Sequence, residues 1–176
     1  MKVFGVKNWR ALKKILITGR PRIGKTTVIK KVIAGLQRGG IEVDGFYTEE
    51  IRKNKNRVGF KIIGLRGFEG ILAHVEFKTN FRVGKYFVKL DALEEYIDRI
   101  NDSITDSEVI VIDEIGRMEL FSGKFKEFIK KIFNEKRIVI ATVGEKFVNR
   151  FNKNAELIRV TLDNRNSIHG IILDKF

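Results

Sequence analysis

Apolar residues in this chain switch between two spacings, and the switches mark its elements. Ile15-Leu16-Ile17-Thr18 is a short continuous apolar run, and Val28, Ile29, Val32, Ile33 and Leu36 then recur at helical spacing until Gly39-Gly40. The pattern predicts a strand, a tight loop and a helix. From about 42 to 90 the chain turns β-rich: residues 43–52, 57–65 and 70–77 read as strands, and Lys53-Asn54-Lys55-Asn56 joins the first two as a hairpin loop. Leu93, Tyr96, Ile97 and Ile100 mark a second helix face. The apolar run Val109-Ile110-Val111-Ile112 before Asp113 has the character of a strand buried on both faces of a parallel sheet. Phe125, Phe128, Ile129, Ile132 and Phe133 form a third helix face, followed by strands at 137–143 and 156–162 and a final helix near 164–174. Strands alternating with helices around a β-rich, antiparallel insert at 42–90 predict an α/β fold: three layers with a mainly parallel sheet.

Length and composition fit that picture. The 176 residues make one domain, 1–176, long enough to bury a real core. No apolar run approaches a membrane span, and Met1–Lys7 lacks the apolar stretch of a secretion signal. The chain has no cysteine, which excludes disulfides, cysteine metal sites and thiol catalysis and makes a reducing, cytoplasmic setting the expectation. The net charge of +13 is unevenly spread: residues 1–41 hold eleven Lys or Arg and no acid, while the rest is nearly balanced. Such a field attracts nucleotides and nucleic acids alike. No nucleic-acid-binding motif accompanies it. Residues 1–12 form a basic N-terminal extension that includes Phe4 and Trp9.

The chemistry sits where the first strand meets the first helix. Gly19-Arg20-Pro21-Arg22-Ile23-Gly24-Lys25-Thr26 matches the phosphate-loop pattern, and Thr27 follows it. In such loops backbone N–H groups wrap phosphates, the lysine reaches the β- and γ-oxygens, and the threonine hydroxyl binds Mg²⁺. Pro21, the only proline, fixes its own φ and stiffens the loop. A metal-side carboxylate is expected at the end of a neighbouring strand, and Asp113 stands there. Glu114, directly after it, suits a base that activates water. Asp113-Glu114-Ile115-Gly116 also fits the switch of GTP-binding proteins, but the guanine-reading motif is missing. Its nearest approach is Asn152-Lys153-Asn154-Ala155, where alanine replaces the needed carboxylate.

The segments 113–125 (DEIGRMELFSGKF), 45–52 (GFYTEEIR), 57–62 (RVGFKI), the phosphate loop with GKTT, and 163–166 (DNRN) together resemble the THEP-type nucleoside-triphosphatases. The resemblance runs from about residue 13 to the C-terminus. It implies a RecA-like P-loop NTPase core that hydrolyses several nucleoside triphosphates, ATP and GTP among them, slowly, with Mg²⁺ and with little base preference. By position it assigns phosphate binding to the loop residues 19–27, metal binding to Thr26 and Asp113, and catalysis to Lys25 and Glu114. The chain departs from the family loop at Arg22, where a glycine is usual. Arginine costs energy there if the position needs φ > 0, although its side chain is near enough in sequence to meet the γ-phosphate.

Other residues admit two readings each. Arg117 either points at the transferring phosphate or is a solvated loop residue. Thr142 is a γ-phosphate sensor or a strand-end hydroxyl. Asn164-Arg165-Asn166, Arg165 in particular, lines the base pocket or caps a helix. His74 and His169 have no catalytic company. Three functions follow: a Mg²⁺-dependent nucleoside-triphosphatase, which leads; a nucleotide or small-molecule kinase; and a nucleotide-switched nucleic-acid-binding protein. A monomer is the simplest assembly, and no membrane partner is expected.

Overall fold

The computed structural model describes residues 13–103 and 107–176; the basic extension 1–12 lies outside them. In chain order the elements are β1 (Lys14–Thr18), α1 (Lys25–Arg38), β2 (Val43–Lys53), β3 (Asn56–Gly64), β4 (Phe68–His74), β5 (Arg82–Val83) and β6 (Tyr86–Val88). They continue with α2 (Asp91–Ser103), β7 (Val109–Ile115), α3 (Gly123–Asn134), β8 (Ile138–Val143), α4 (Val148–Phe151), β9 (Glu156–Arg159) and α5 (Ile168–Leu173).

β1 is buried along its whole length, so both of its faces need cover. Ile15 and Ile17 join one apolar cluster, which includes the buried face of α1 together with Ile168 and Ile172 of α5. Leu16 joins the other cluster, built with Leu93, Tyr96, Ile97 and Ile100 of α2 and Phe125, Phe128, Ile129 and Ile132 of α3. β7 divides the same way, Val109 and Val111 to the first cluster and Ile110 and Ile112 to the second. One sheet between two helical layers is the three-layer arrangement that the periodicity predicts.

Among the described residues the sheet has nine strands, in the order β5-β6-β4-β3-β2-β7-β8-β1-β9. The stretch from β2 to β9 is parallel, with β1 hydrogen-bonded to β8 on one side and β9 on the other. The insert does not form a layer of its own. β2 pairs with β7 over Val43–Phe46 and then continues past it, paired with β3 alone to Lys53. Strands β3 to β6 extend the sheet from that edge in antiparallel fashion, so the sheet as a whole is mixed. At the hairpin tip Asn54 and Lys55 both take positive φ (49° and 64°), as a two-residue turn of the right twist requires.

The expected strand at 70–77 spans Phe68–His74, and the short pair β5 and β6 was not foreseen. Three further boundaries differ from the sequence pattern. β7 does not stop at Asp113; it runs on to Ile115 with a register shift against β8. The expected strand at 156–162 ends at Arg159, and the expected helix at 164–174 begins at Ile168. The cause of the last two is Asn164, whose Oδ1 accepts the Thr161 N–H at 2.8 Å and whose Nδ2 donates to Arg159 O at 2.9 Å, folding 159–164 into a turn. Lys14 closes the opposite edge. Its buried Nζ donates to the carbonyls of Ile132 and Glu135, each at 3.0 Å, and of Arg137, so it caps the end of α3. No helix among the described residues is long and apolar enough to cross a membrane.

Candidate active site

Five parallel strands deliver their C-terminal ends to one edge of the sheet, the place where ligands of open α/β sheets bind. β1 delivers the phosphate loop. Gly19 has φ 149° and lies so close to Val160 that a Cβ on it would come within 2.7 Å of the Val160 carbonyl oxygen. Gly24 caps α1 in the left-handed region, φ 109° and ψ 22°. Arg22 is also left-handed, φ 64°. In this chain the position therefore takes positive φ, and Arg22 adopts it at a cost of about 1–2 kcal/mol. Arg20, Pro21, Arg22 and Thr27 are exposed, and Ile23 anchors the loop on the α1–α5 cluster.

Lys25 folds back over its own loop. Its Nζ donates to Gly19 O at 3.1 Å and lies 3.7 Å from Glu114 Oε2, with only 10% of the side chain exposed. Thr26 donates from Oγ1 to Asp113 Oδ2 at 2.7 Å. On the other side Thr142, from β8, donates to Asp113 Oδ1 at 2.6 Å. Asp113 is 1% exposed. Burial pushes its carboxyl above the usual carboxylate range, against the pull of Thr142, Thr26, Lys25 and the Thr48 N–H from β2. Glu114, half-buried after a cis Asp113–Glu114 peptide bond, is also pushed up by burial; Lys25 opposes the rise and Asp113 adds to it.

Loop residues, Lys25, Thr26, Asp113 and Glu114 thus meet at one edge. Thr142 gives its hydroxyl hydrogen to Asp113 rather than to its own backbone. Arg117 is exposed beside the site. Arg165 is exposed too, on the 161–167 turn, and Val160 ties that turn to Gly19. Asn164 is occupied in shaping it. His74 accepts the Glu76 N–H on Nδ1 at 3.2 Å, far along the insert. Arg52 and Arg57, which belong to the arginine-rich stretch 52–66, both bond Glu50, and Arg66 pairs with Asp44 at 2.9 Å.

Sequence reading missed Glu119. It is 5% exposed and sits across Gly116 from Glu114. Its signal was an acid between Met118 and Leu120 in an otherwise apolar stretch.

The donors at hand are hard oxygens, a hydroxyl and a carboxylate joined at 2.7 Å, which suit Mg²⁺. Among the described residues no three His, Cys, Asp or Glu side chains gather as a metal cage. The whole set, a lysine for phosphates, an oxygen pair for a metal and a carboxylate of raised proton affinity, can bind a triphosphate and activate water against it.

The model of a family described as NTPase matches residues 14–173. The nucleoside-triphosphatase THEP1 of Thermotoga maritima is 46% identical over 166 residues, covering 91% of this chain and 93% of its own. Among solved structures, THEP1 from the hyperthermophile Aquifex aeolicus superposes with a TM-score of 0.79 at 36% identity, covering 92% of this chain and 97% of its own. A human cancer-related nucleoside triphosphatase gives 0.75 at 33% identity, covering 92% and 96%.

Proposed function

This chain belongs to the NTPase family, whose curated members include the THEP1 nucleoside-triphosphatases, and from that premise we propose how its own residues carry out the hydrolysis. It is a nucleoside-triphosphatase, converting a triphosphate to the diphosphate and inorganic phosphate. The loop 19–24 and Lys25 hold the β- and γ-phosphates, with Lys25 giving up Gly19 O and Glu114 for phosphate oxygens. Thr26 and Asp113 hold Mg²⁺, which when bound neutralises charge on the phosphates. Thr142 keeps the Asp113 carboxylate turned toward Thr26. Glu114 takes the proton of the attacking water, and its raised proton affinity fits that task. Arg117 and Arg165 face the bound nucleotide, at the γ-phosphate and the base respectively. Substrates include ATP, GTP and other triphosphates, since no motif selects one base, and turnover is slow.

The observation that carries this reading is the hydrogen-bonded row Thr26–Asp113–Thr142 beside the Lys25–Glu114 pair. Hydrolysis is favoured over a kinase reaction because Arg52, Arg57 and Arg66 are tied to acids rather than poised as a lid. The test is Glu114→Gln. Nucleotide and Mg²⁺ affinity should persist while the rate of phosphate release falls by about 10²–10⁴-fold. Wild-type turnover in that variant would remove Glu114 as the base.

A further inference from the structure

The hydrolytic reading leaves Glu119 without a task, and its surroundings are unusual for a carboxylate. It opens the single helical turn Glu119–Phe121, is 5% exposed, and has no Lys, Arg or His within ion-pair distance among the described residues. A buried acid without a cation keeps its proton rather than carry an uncompensated charge. The backbone N–H groups of Gly116 and of Glu119 itself bond the carboxyl group.

Gly116 fixes what this acid faces. A Cβ placed on Gly116 would meet Glu114 Oε1 at 2.8 Å and Glu119 Oε2 at 2.8 Å. The two oxygens therefore converge over a residue with no side chain, at most about 5.6 Å apart, twice the 2.8 Å approach and within the span of one bridging water. Two carboxyl groups at that range cannot both ionise cheaply. A protonated Glu119 turns the encounter from repulsion into donor and acceptor. Any side chain at position 116 would wedge them apart.

Resting on Glu114 as the base, we propose that Glu119 is a positioning residue: its protonated carboxyl group donates to Glu114, directly or through one water, and holds that carboxylate ionised and aimed at the attacking water. The water's proton passes to Glu114. Its oxygen bonds to the γ-phosphorus as the bond to the β–γ bridging oxygen breaks, and the diphosphate leaves with that electron pair. Glu119 keeps its own proton throughout.

The charged groups around Glu119 are Glu114 and Asp113 from β7, Lys25 of α1 facing Glu114, Arg117 in its own loop, and Glu94 of α2 bonded to the neighbouring Ser122. Burial first, and the Glu114 charge second, push the Glu119 carboxyl up to about 8. Above that pH a second negative charge stands against Glu114, and turnover should decline.

The experiment measures kcat and nucleotide Kd from about pH 6 to about pH 9.5 for wild type, E119L, E119Q and, in parallel, E114Q. E119L should lose at least about tenfold in kcat at neutral pH with Kd changed less than about twofold. E119Q, whose amide still donates, should recover most of the rate and lose the alkaline decline. The proposal is overturned if E119L turns over like wild type, if its loss falls on Kd instead, or if E119Q keeps the alkaline decline. If E119L does not fold, the E119Q profile decides alone. An inactive E114Q beside a wild-type E119L sinks only this inference, whereas an active E114Q sinks the Glu114 reading and this one with it.

Discussion

Arg22 allows backbone strain and side-chain chemistry to be separated in a single loop. It is exposed and left-handed, φ 64°, at a position flanked by two glycines of positive φ, Gly19 and Gly24. Replacing it with glycine removes a left-handed penalty of about 1–2 kcal/mol. It also frees the unfolded chain, at a cost of roughly 0.5–1 kcal/mol. The net is a gain of about 0.5–1 kcal/mol, or about 1–4 °C in Tm for a chain of this size. Arg22→Ala keeps the penalty and loses the same guanidinium, so its Tm should stay near wild type. The measurement is scanning calorimetry of both variants without nucleotide, paired with phosphate release. A guanidinium that meets phosphate makes both variants lose triphosphate affinity equally, whatever their stability. An Arg22→Gly protein melting at or below Arg22→Ala would refute the strain argument.

Other outcomes follow from the same geometry. Lys25→Ala should abolish turnover and weaken triphosphate binding, because it removes the cation held inside the loop; fluorescent-nucleotide titration and phosphate release check both. Thr142→Val should raise the Mg²⁺ concentration needed for half-maximal rate, since Asp113 loses its 2.6 Å donor and its carboxyl rises further; an unchanged Mg²⁺ titration would mean Thr142 does not orient it. Lys14→Met should cost about 2 kcal/mol or more, a fall of at least about 4 °C, because the buried carbonyls at the end of α3 lose their donor; thermal melts measure it.

The main frame was legible because its signals are local. β1, the loop and α1 announce themselves through a switch from continuous to helical spacing within two dozen residues, and β7 through a run apolar on both faces. The phosphate loop, Asp113 and Glu114 were legible for the same reason, as short patterns at strand ends. What the pattern cannot carry is pairing. Nothing local in Val43–Lys53 says that four of its residues pair with β7 and the rest with β3 alone. Lys14 looks like one more basic residue until the end of α3 closes over it. Thr142 and Glu119 acquire meaning only from Asp113 and Gly116 across the fold. The late boundaries failed because Asn164 diverts the chain through side-chain bonds to its own backbone, which hydrophobic periodicity does not register.

β1 has its two neighbours at the far end of the chain: residues 138–143 on one side and 156–159 on the other, with the Val160 carbonyl closing on Gly19. During synthesis at ~5–20 residues per second, the ribosome makes this strand on the order of ten seconds before its partners exist. Through that interval Ile15-Leu16-Ile17 is an unpaired apolar segment, and the loop it carries has no wall to lie against. Nucleotide cannot rescue a nascent or truncated chain, since the pocket is completed only when the last strand docks. The phosphate loop, made early, is thereby finished only when these late strands dock.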